Sequence, residues 1–575
     1  MALEKWAESV ALRYLQTVVV VDDRLLVGAK GQVAPEEDQT VEDIDPLSID
    51  PSDQAAEEST PLVGAAAGGA GPDEDLEGET LLRGFAEYGL VCGFLAPSSP
   101  SELEEIRQGR YKRLFNRADV VVLDWSLGGD NGRTTRALLQ TLVSHPAEQI
   151  DRLRLVCIYT NTPDLDGIRE TLSSDLAARN VRHEKPDTSR TGWVIDAGYF
   201  RISVLGKKSF GRPKHYEIAE VEPSSLPKRI VEEFAQTYHG LMPGFALNSL
   251  AILRDNAPLL LQRFNSGLDS AFVSHELLTE QGKRFAVQLM AREVQAILEA
   301  VDAGSVLSMD NLQSWAQGKL NAGVQHIPRV KLGSLRSYSR EEVLNVVSDA
   351  GFTADRLLNL EDSKKLKIGA NAKMSSLGSL FVGEVEAQDS DEQLGRLSCL
   401  NRDLHSEYFG AKSPTLQLGS VLARRVVGVG SGQGGGGESE GVEYWLCLQP
   451  LCDSERITEP RGFPVVPLRE VNEGSSFDVL LLDHGKVKRR LSSVARPFLM
   501  QVVVFGPSEG EDVVRFSFQN DAFILADQSG QEWTWLAELR PEHAMRISHE
   551  MARSMSRIGL DESEWLRLSG INKKS

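Results

Sequence analysis

The sequence predicts an α/β fold: a doubly wound, five-stranded parallel sheet, followed by an all-α helical region and a mixed, β-rich C-terminal domain. Short apolar runs alternate with helical segments in the first region, which is typical of a parallel sheet covered by helices on both faces. From about 224 to 303 the apolar residues recur at helical spacing, and short strands predominate after about 335. We therefore expect domains at 1–215, 216–335 and 336–575.

The elements of the first domain can be placed in chain order. We expect helices at 3–15, 99–115, 131–145 and 164–179, and strands at 17–21, 89–95, 119–127, 153–160 and within 198–208. The strands are short, mostly apolar runs, as expected of strands buried on both faces. The helix at 99–115 opens with Ser99 as N-cap and Pro100 at the first helical position.

The later regions contain one long amphipathic helix and many short strands. The segment 282–301 carries an apolar stripe that includes Phe285, Leu289 and Met290, which we expect to pack in a core, with a partner groove as the alternative. Strands such as VEYWLCLQP and AFILADQ fill the C-terminal domain, and helices at 541–559 and 561–570 close the chain.

Charge and cysteine content restrict the class of protein. The chain of 575 residues has a net charge of −21, and residues 31–80 hold 15 acidic residues and no Lys or Arg. This acidic insertion buries too little apolar surface to offset its ordering entropy, so we expect it to be disordered. Five scattered cysteines favour a cytoplasmic location, and no apolar run approaches the ~18–20 residues of a membrane span. We therefore expect no membrane partner, and we expect no nucleic-acid partner because the acidic charge repels phosphate.

Polar residues cluster where the predicted strands end. Asp22 and Asp23 follow the first strand, Asp124 lies near the end of the third, Thr160 ends the fourth and Lys207 follows the fifth. The carboxyl ends of parallel strands lie at one edge of a sheet. Three carboxylates there repel one another, and Mg²⁺ would relieve that repulsion with oxygen ligands. The sequence therefore predicts a magnesium site formed by the three aspartates.

An open Mg²⁺ position suits a phosphoryl oxygen. In this hypothesis Asp124 is the nucleophile and becomes an acyl phosphate, while the metal neutralises charge on the transferred group. The hydroxyl of Thr160 can donate a hydrogen bond to a second phosphoryl oxygen, and Lys207 can pair with a third.

This combination resembles the receiver domain of response regulators. The resemblance is carried by VVVVDD (18–23), DVVVLDWSLGGDNG (119–132), the strand-end threonine and the lysine after the fifth strand. It implies a flavodoxin-like fold, Asp124 as phosphoacceptor, and Asp22 and Asp23 as metal-site acids. It also implies the main-chain carbonyl of Ser126 as a further Mg²⁺ ligand, and a sensor histidine kinase as the phosphoryl donor.

The sequence departs from the receiver pattern at several positions. Gly128 replaces the usual proline four residues after the acceptor, and Lys207 competes with Lys208 for the phosphate-site role. The aromatic residue expected three positions before the lysine is Val204 or Leu205. Two insertions are present, the acidic segment and extra residues before the fifth strand. The residues that accept phosphate are thus present, and the residue that usually transmits the signal is missing.

The remainder resembles the C-terminal regions of atypical receiver proteins from Detocs-type bacterial anti-phage systems, through GLMPGFALNSLAILRDNAPLLLQRFNSGLD (240–269) and YWLCLQPLCDSERI (444–457). The resemblance implies a phosphate-buffering component without an effector, which shares its kinase with a second receiver protein that carries one. We expect no enzymatic activity beyond receiver phosphorylation and dephosphorylation. The alternatives are a receiver-gated effector enzyme with an unrecognised C-terminal activity, and a receiver-controlled transcription regulator.

Overall fold

A computed structural model describes most of the chain. The described residues are 2–26, 76–142, 153–178, 193–196, 200–208, 212–279, 282–321, 340–348, 353, 356–357, 378–403, 413–428, 439–472, 475–482, 488–494 and 496–555. The acidic insertion up to residue 75 and the predicted helix at 561–570 lie outside them. The chain divides into two compact units, Met1–Gly318 and Lys319–Ser575, which are described separately. The domain boundaries at 215 and 335 stay predictions.

The first unit holds the predicted sheet and most of the helices. Its helices are α1 (Ala2–Tyr14), α2 (Gly78–Glu87), α3 (Pro100–Arg107), α4 (Lys112–Arg117), α5 (Arg133–Leu142), α6 (Leu165–Ala178), α7 (Leu226–Thr237), α8 (Leu241–Asp255), α9 (Ala257–Arg263), α10 (Asp269–Thr279), α11 (Gly282–Ala300) and α12 (Met309–Asn321), the last running into the second unit. Its strands are β1 (Thr17–Val21), β2 (Leu25–Leu26), β3 (Leu76–Glu77), β4 (Val91–Leu95), β5 (Val120–Leu123), β6 (Arg154–Thr160), β7 (Val194–Asp196), β8 (Phe200–Lys207) and β9 (Glu220–Val221).

The main sheet has the strand order β4-β1-β5-β6-β8-β7, with β9 paired to β8. The five strands from β4 to β8 are parallel to one another, so a flavodoxin-like doubly wound fold is supported for this region. β7 pairs antiparallel with β8 and comes from the extra residues between Thr160 and Lys207, where the sequence had predicted no strand. The two-stranded β2–β3 pair lies outside this sheet.

The helix predicted at 99–115 is wrong as a single element, because the chain breaks between α3 and α4. Gly109 adopts φ +86°, a left-handed conformation that ends helices and that glycine adopts without steric cost. The N–H groups of Gln108 and Gly109 donate to carbonyls of the preceding turn, those of Glu104 and Ile106. The prediction followed the apolar periodicity and passed over the glycine.

Each face of the sheet is covered by its own set of helices. Successive residues of a strand point to opposite faces, so Val19 and Val21 pack toward α3–α6, whereas Val18 and Val20 pack toward α1, α2 and α7. The ring of Phe234, on α7, is fully buried in this second layer. The second layer therefore continues through α7, beyond residue 215.

The helices after α7 are more exposed. α8 packs against α1, but the stripe predicted to lie in a core on α11 is only partly covered. Phe285 and Met290 are exposed, and Leu289 is half-buried. The expectation of a buried stripe is therefore wrong for Phe285 and Met290.

The second unit is built around an antiparallel sheet, as the β-rich prediction requires. Its elements are α13 (Arg340–Ser348), α14 (Glu384–Cys399), β10 (Leu400–Asp403), β11 (Ser420–Gly428), β12 (Ser439–Cys447), β13 (Arg461–Glu470), β14 (Val479–Leu482), β15 (Lys488–Ser493), β16 (Gln501–Phe505), β17 (Ser517–Gln519), β18 (Ala522–Ala526), β19 (Glu532–Leu539) and α15 (Pro541–Met555). The strand order is β14-β15-β13-β12-β11-β19-β18-β17, with β10 on β19 and β16 on β13. β19, whose Trp533 and Trp535 are fully buried, is not among the strands predicted from the sequence.

Within the described part of the chain, no helix combines the length and the apolar character needed to cross a bilayer.

The two adjacent leucines of α2 test this packing directly. The side chain of Leu81 is fully buried under the sheet, whereas that of Leu82 is 47% exposed. We expect Leu81→Ala to lower the free energy of unfolding by about 2–5 kcal/mol, because it removes buried methyl groups and leaves a cavity. Leu82→Ala is the matched control and should change it by less than about 1 kcal/mol. Urea unfolding followed by circular dichroism measures both, and equal losses would contradict the assigned orientation of α2.

Candidate functional site

The register of β1 and β5 brings two aspartates side by side. Val21 pairs with Leu123 at the carboxyl ends of these adjacent strands, so the next residue of each strand is an aspartate at the same edge. The N–H of Asp124 donates to the carbonyl of Val21 (3.0 Å), and the N–H of Asp22 donates to the carbonyl of Leu95 on β4 (3.2 Å). The main chain of both acids is therefore fixed by the sheet.

The predicted acidic cluster is present. Carboxylate oxygens of Asp22, Asp23 and Asp124 lie within 4.8 Å of one another, and the residues Asp22 and Asp124 are only 2% and 7% exposed. Oδ1 of Asp23 is buried without a hydrogen-bond partner among the described residues, and its Oδ2 accepts the N–H of Gly128 (2.8 Å). A buried carboxylate oxygen without a partner is costly. Because all the donors are hard oxygens, the site fits Mg²⁺.

Lys207 reaches the same cluster from β8. Its Nζ donates to Oδ2 of Asp22 (2.6 Å) and lies 3.4 Å from Oδ2 of Asp124. Burial raises the pKa of Asp22 above its ordinary value, and the positive charge of Lys207 acts in the opposite direction. Lys208 instead pairs with Glu222 and has a 63% exposed side chain. Of the two lysines that the sequence left open, the structure places Lys207 in the cluster.

Thr160 ends β6, the strand between β5 and β8. It is buried, and its Oγ1 accepts the N–H of Thr162 (3.2 Å). The hydroxyl therefore lies at the carboxyl edge of the sheet, as predicted, while its role toward a phosphoryl group stays a prediction.

Gly128 occupies a position that proline cannot adopt. Its φ is +61°, whereas proline is fixed near −65°, and its N–H donates to Asp23, whereas proline has no N–H. The departure from the receiver pattern therefore has a structural cause. The carbonyl of Ser126 accepts the N–H of Gly129 (3.2 Å), which leaves it a second lone pair. Its role as a Mg²⁺ ligand stays a prediction.

The start of α5 supports the loop that carries Asp124. The hydroxyl of Thr135 donates to the carbonyl of Asp124 (2.6 Å). Gly132 has φ +85°, and a Cβ there would lie 2.3 Å from the ring of Trp125, which is 5% exposed. The glycine lets the helix approach the indole closely, so the start of α5 packs directly against the loop that carries Asp124.

The position of the missing aromatic residue is covered by the additional strand. Val204 is fully buried on the α3–α6 face, and Leu205 on the opposite face. The N–H of Val204 donates to the carbonyl of Trp193 (2.8 Å), directly before β7. The ring of Tyr159 lies 5.8 Å from the Nζ of Lys207, and its hydroxyl donates to the carbonyl of Val221 (2.8 Å).

One residue of this edge, Arg212, is not predicted from the sequence. Its buried guanidinium donates to three main-chain carbonyls, those of Thr160, Thr162 and Lys207. No local pattern marks it, because the contact joins a side chain after β8 to two strand ends. Burial lowers the pKa of Arg212, and the charge of Glu220 acts against this shift.

Comparison with known proteins supports a receiver domain in the first part of the chain. Residues 14–212 match the family model of the response receiver domain. The chain therefore carries a receiver domain, a module of response regulators in two-component systems that typically interacts with sensor histidine kinases. No curated protein and no solved structure matches the chain.

Two glycines in the loop after Asp124 distinguish the cost of backbone strain from the cost of a steric contact. Gly132→Ala places a Cβ against the Trp125 ring at a positive φ, whereas Gly129 has a similar φ of +73° with nothing within 4 Å. We expect Gly132→Ala to cost at least about 1 kcal/mol more than Gly129→Ala, because overpacking adds to the shared backbone strain. Urea unfolding and tryptophan fluorescence measure this difference. Equal costs would mean that the indole is not held against α5.

Proposed function

We propose that this protein accepts a phosphoryl group from a sensor histidine kinase onto Asp124 and buffers phosphate signalling in a bacterial anti-phage defence system in the cytoplasm. One observation carries the proposal: within a matched receiver domain, three carboxylates and one lysine converge at the carboxyl edge of the sheet. We propose no enzymatic activity beyond the receiver's own phosphorylation and dephosphorylation.

We infer the following roles from the positions of the atoms. A carboxylate oxygen of Asp124 forms a bond to phosphorus, the P–N bond of the donor phosphohistidine breaks, and the imidazole leaves with its proton. Lys207 balances negative charge beside the acceptor, since its Nζ lies 3.4 Å from Asp124 Oδ2. The hydroxyl of Thr160, at the end of β6, would donate to a phosphoryl oxygen.

The acids would hold Mg²⁺. Asp22, Asp23 and Asp124 supply carboxylate oxygens, and the main-chain carbonyl of Ser126 would supply another. When bound, the ion supplies neutralisation of charge on the phosphoryl oxygens. Until then Lys207 compensates the buried Asp22.

Buffering is favoured over switching by the edge beyond β8. The residue that usually relays phosphorylation is replaced by a fully buried valine, Val204, and β7 pairs along that edge. A phosphoryl group on Asp124 then has no aromatic side chain at this position to reorient. This supports a protein that stores phosphate beside a second receiver protein carrying the effector.

The acceptor is tested with ³²P-labelled acetyl phosphate and Mg²⁺. We expect wild type to gain label that hydroxylamine removes, as it does from acyl phosphates, and Asp124→Asn to gain at least 100-fold less. Chelation of Mg²⁺ should also prevent labelling. Asp175→Asn, which changes an acid on α6 paired with Arg136, is the matched control and should label normally. Undiminished labelling of Asp124→Asn would refute Asp124 as the acceptor.

Cell expression separates the buffer from the alternatives. A buffer should be harmless when phosphorylated and should relieve toxicity driven by a kinase and an effector receiver, whereas an effector enzyme would be toxic. Retention of DNA at physiological salt would instead favour a transcription regulator.

The two adjacent lysines provide a matched pair. We expect Lys207→Met to lower the labelling rate at least tenfold, because it removes the charge beside Asp124, and Lys208→Met to change it less than twofold, because that side chain is exposed and pairs with Glu222. Rates from acetyl phosphate at saturating Mg²⁺ measure both. A larger effect at Lys208 would reverse the assignment.

A further inference from the structure

We propose that Arg212 is a positioning residue of the phosphoryl site. Its guanidinium holds the main chain of Thr160 and Lys207 together, so that the hydroxyl of one and the ammonium of the other meet the same phosphoryl group. The inference rests on the proposed function, because it requires a phosphoryl group on Asp124.

The guanidinium bonds where the ladder between β6 and β8 stops. The last pair of this ladder is Thr160 with Gly206. Beyond it, Nη2 of Arg212 donates to the carbonyls of Thr160 and Thr162, both at 3.1 Å, and Nη1 donates to the carbonyl of Lys207 at 3.0 Å. One planar group with several fixed donors thus ties the two strand ends together.

The side chain of Arg212 is closely packed on all the sides that the following contacts describe. The side chain of Arg212 is 1% exposed, and Glu220 lies 3.4 Å from Nη1 as its counter-charge. A Cβ on residue 206 would lie 1.7 Å from the same nitrogen, so only glycine leaves room there. Nη1 and Nη2 are matched by the three carbonyls and by Glu220, whereas Nε is buried without a hydrogen-bond partner among the described residues. Glycine in the strand and arginine after it therefore form one arrangement.

Position matters for both side chains. The Cα atoms from which the Thr160 hydroxyl and the Lys207 ammonium extend belong to the segments that the guanidinium ties. A displacement of about 1 Å in a reacting group can cost about 100-fold in rate. The acids Asp22 and Asp124, by contrast, are fixed by hydrogen bonds to β4 and β1. Loss of Arg212 should therefore impair phosphoryl transfer and leave metal binding unchanged.

Phosphoramidate with Mg²⁺ tests this separation. In the step, an oxygen of Asp124 bonds to phosphorus, the P–N bond breaks, and the protonated nitrogen leaves as ammonia. We expect Arg212→Ala and Gly206→Ala each to lower the phosphorylation rate at saturating Mg²⁺ at least tenfold, with Mg²⁺ affinity by titration calorimetry within twofold of wild type. Arg136→Ala, which removes an arginine bound to α6, is the control and should keep both values.

Each outcome decides the matter. Wild-type rates in Arg212→Ala, or equal losses of rate and Mg²⁺ affinity, would overturn the proposal, the second because they indicate general destabilisation. Gly206→Ala keeps every charge, so it replaces Arg212→Ala if that variant does not fold, and a normal rate there is equally decisive. A wild type that accepts no phosphate refutes the proposed function itself, whereas phosphorylated wild type with an unaffected Arg212→Ala refutes only the role of Arg212.

Discussion

The buried ion pair between Lys207 and Asp22 is the interaction on which the site depends. Two carboxylates at the carboxyl edge, Asp22 and Asp124, are almost entirely withdrawn from water, and each would be strongly disfavoured without a compensating cation. The 2.6 Å contact with Asp22 reaches from β8 across β6 and β5 to β1. It holds only if these four strands keep their register, so the helices that pack the sheet also maintain this ion pair.

Much of this site could be predicted from the sequence, because residues that follow the strands of a parallel sheet lie together at its carboxyl edge. Asp22, Asp124 and Lys207 each follow an apolar run, and runs of that kind end at one edge. Arg212 and the β7 strand could not be found in this way, since each depends on a contact between segments that local periodicity does not connect. The strand at Glu532–Leu539 is different, because the alternation of polar and apolar residues in EWTWL (532–536) was a sufficient signal.

The departures from the receiver pattern have local physical causes. Gly128 provides a positive φ and an N–H to Asp23, and proline could provide neither. Where an aromatic side chain would normally change position, Val204 is enclosed and its N–H bonds to the carbonyl of Trp193. In the proposed function, accepting phosphate and transmitting that state therefore depend on different parts of the fold, the first on the strand ends and the second on one edge of the sheet.

The short β2–β3 pair gives the acidic insertion a further significance. Leu25 lies opposite Leu76, and Leu26 opposite Glu77, so the insertion leaves and rejoins the domain at a single point, three residues after Asp22. The entropic cost of bringing the two ends of a flexible loop together rises by only about 0.6 kcal/mol for each doubling of its length. At that cost, the length of the insertion can change with little effect on the stability of the sheet beside Asp22.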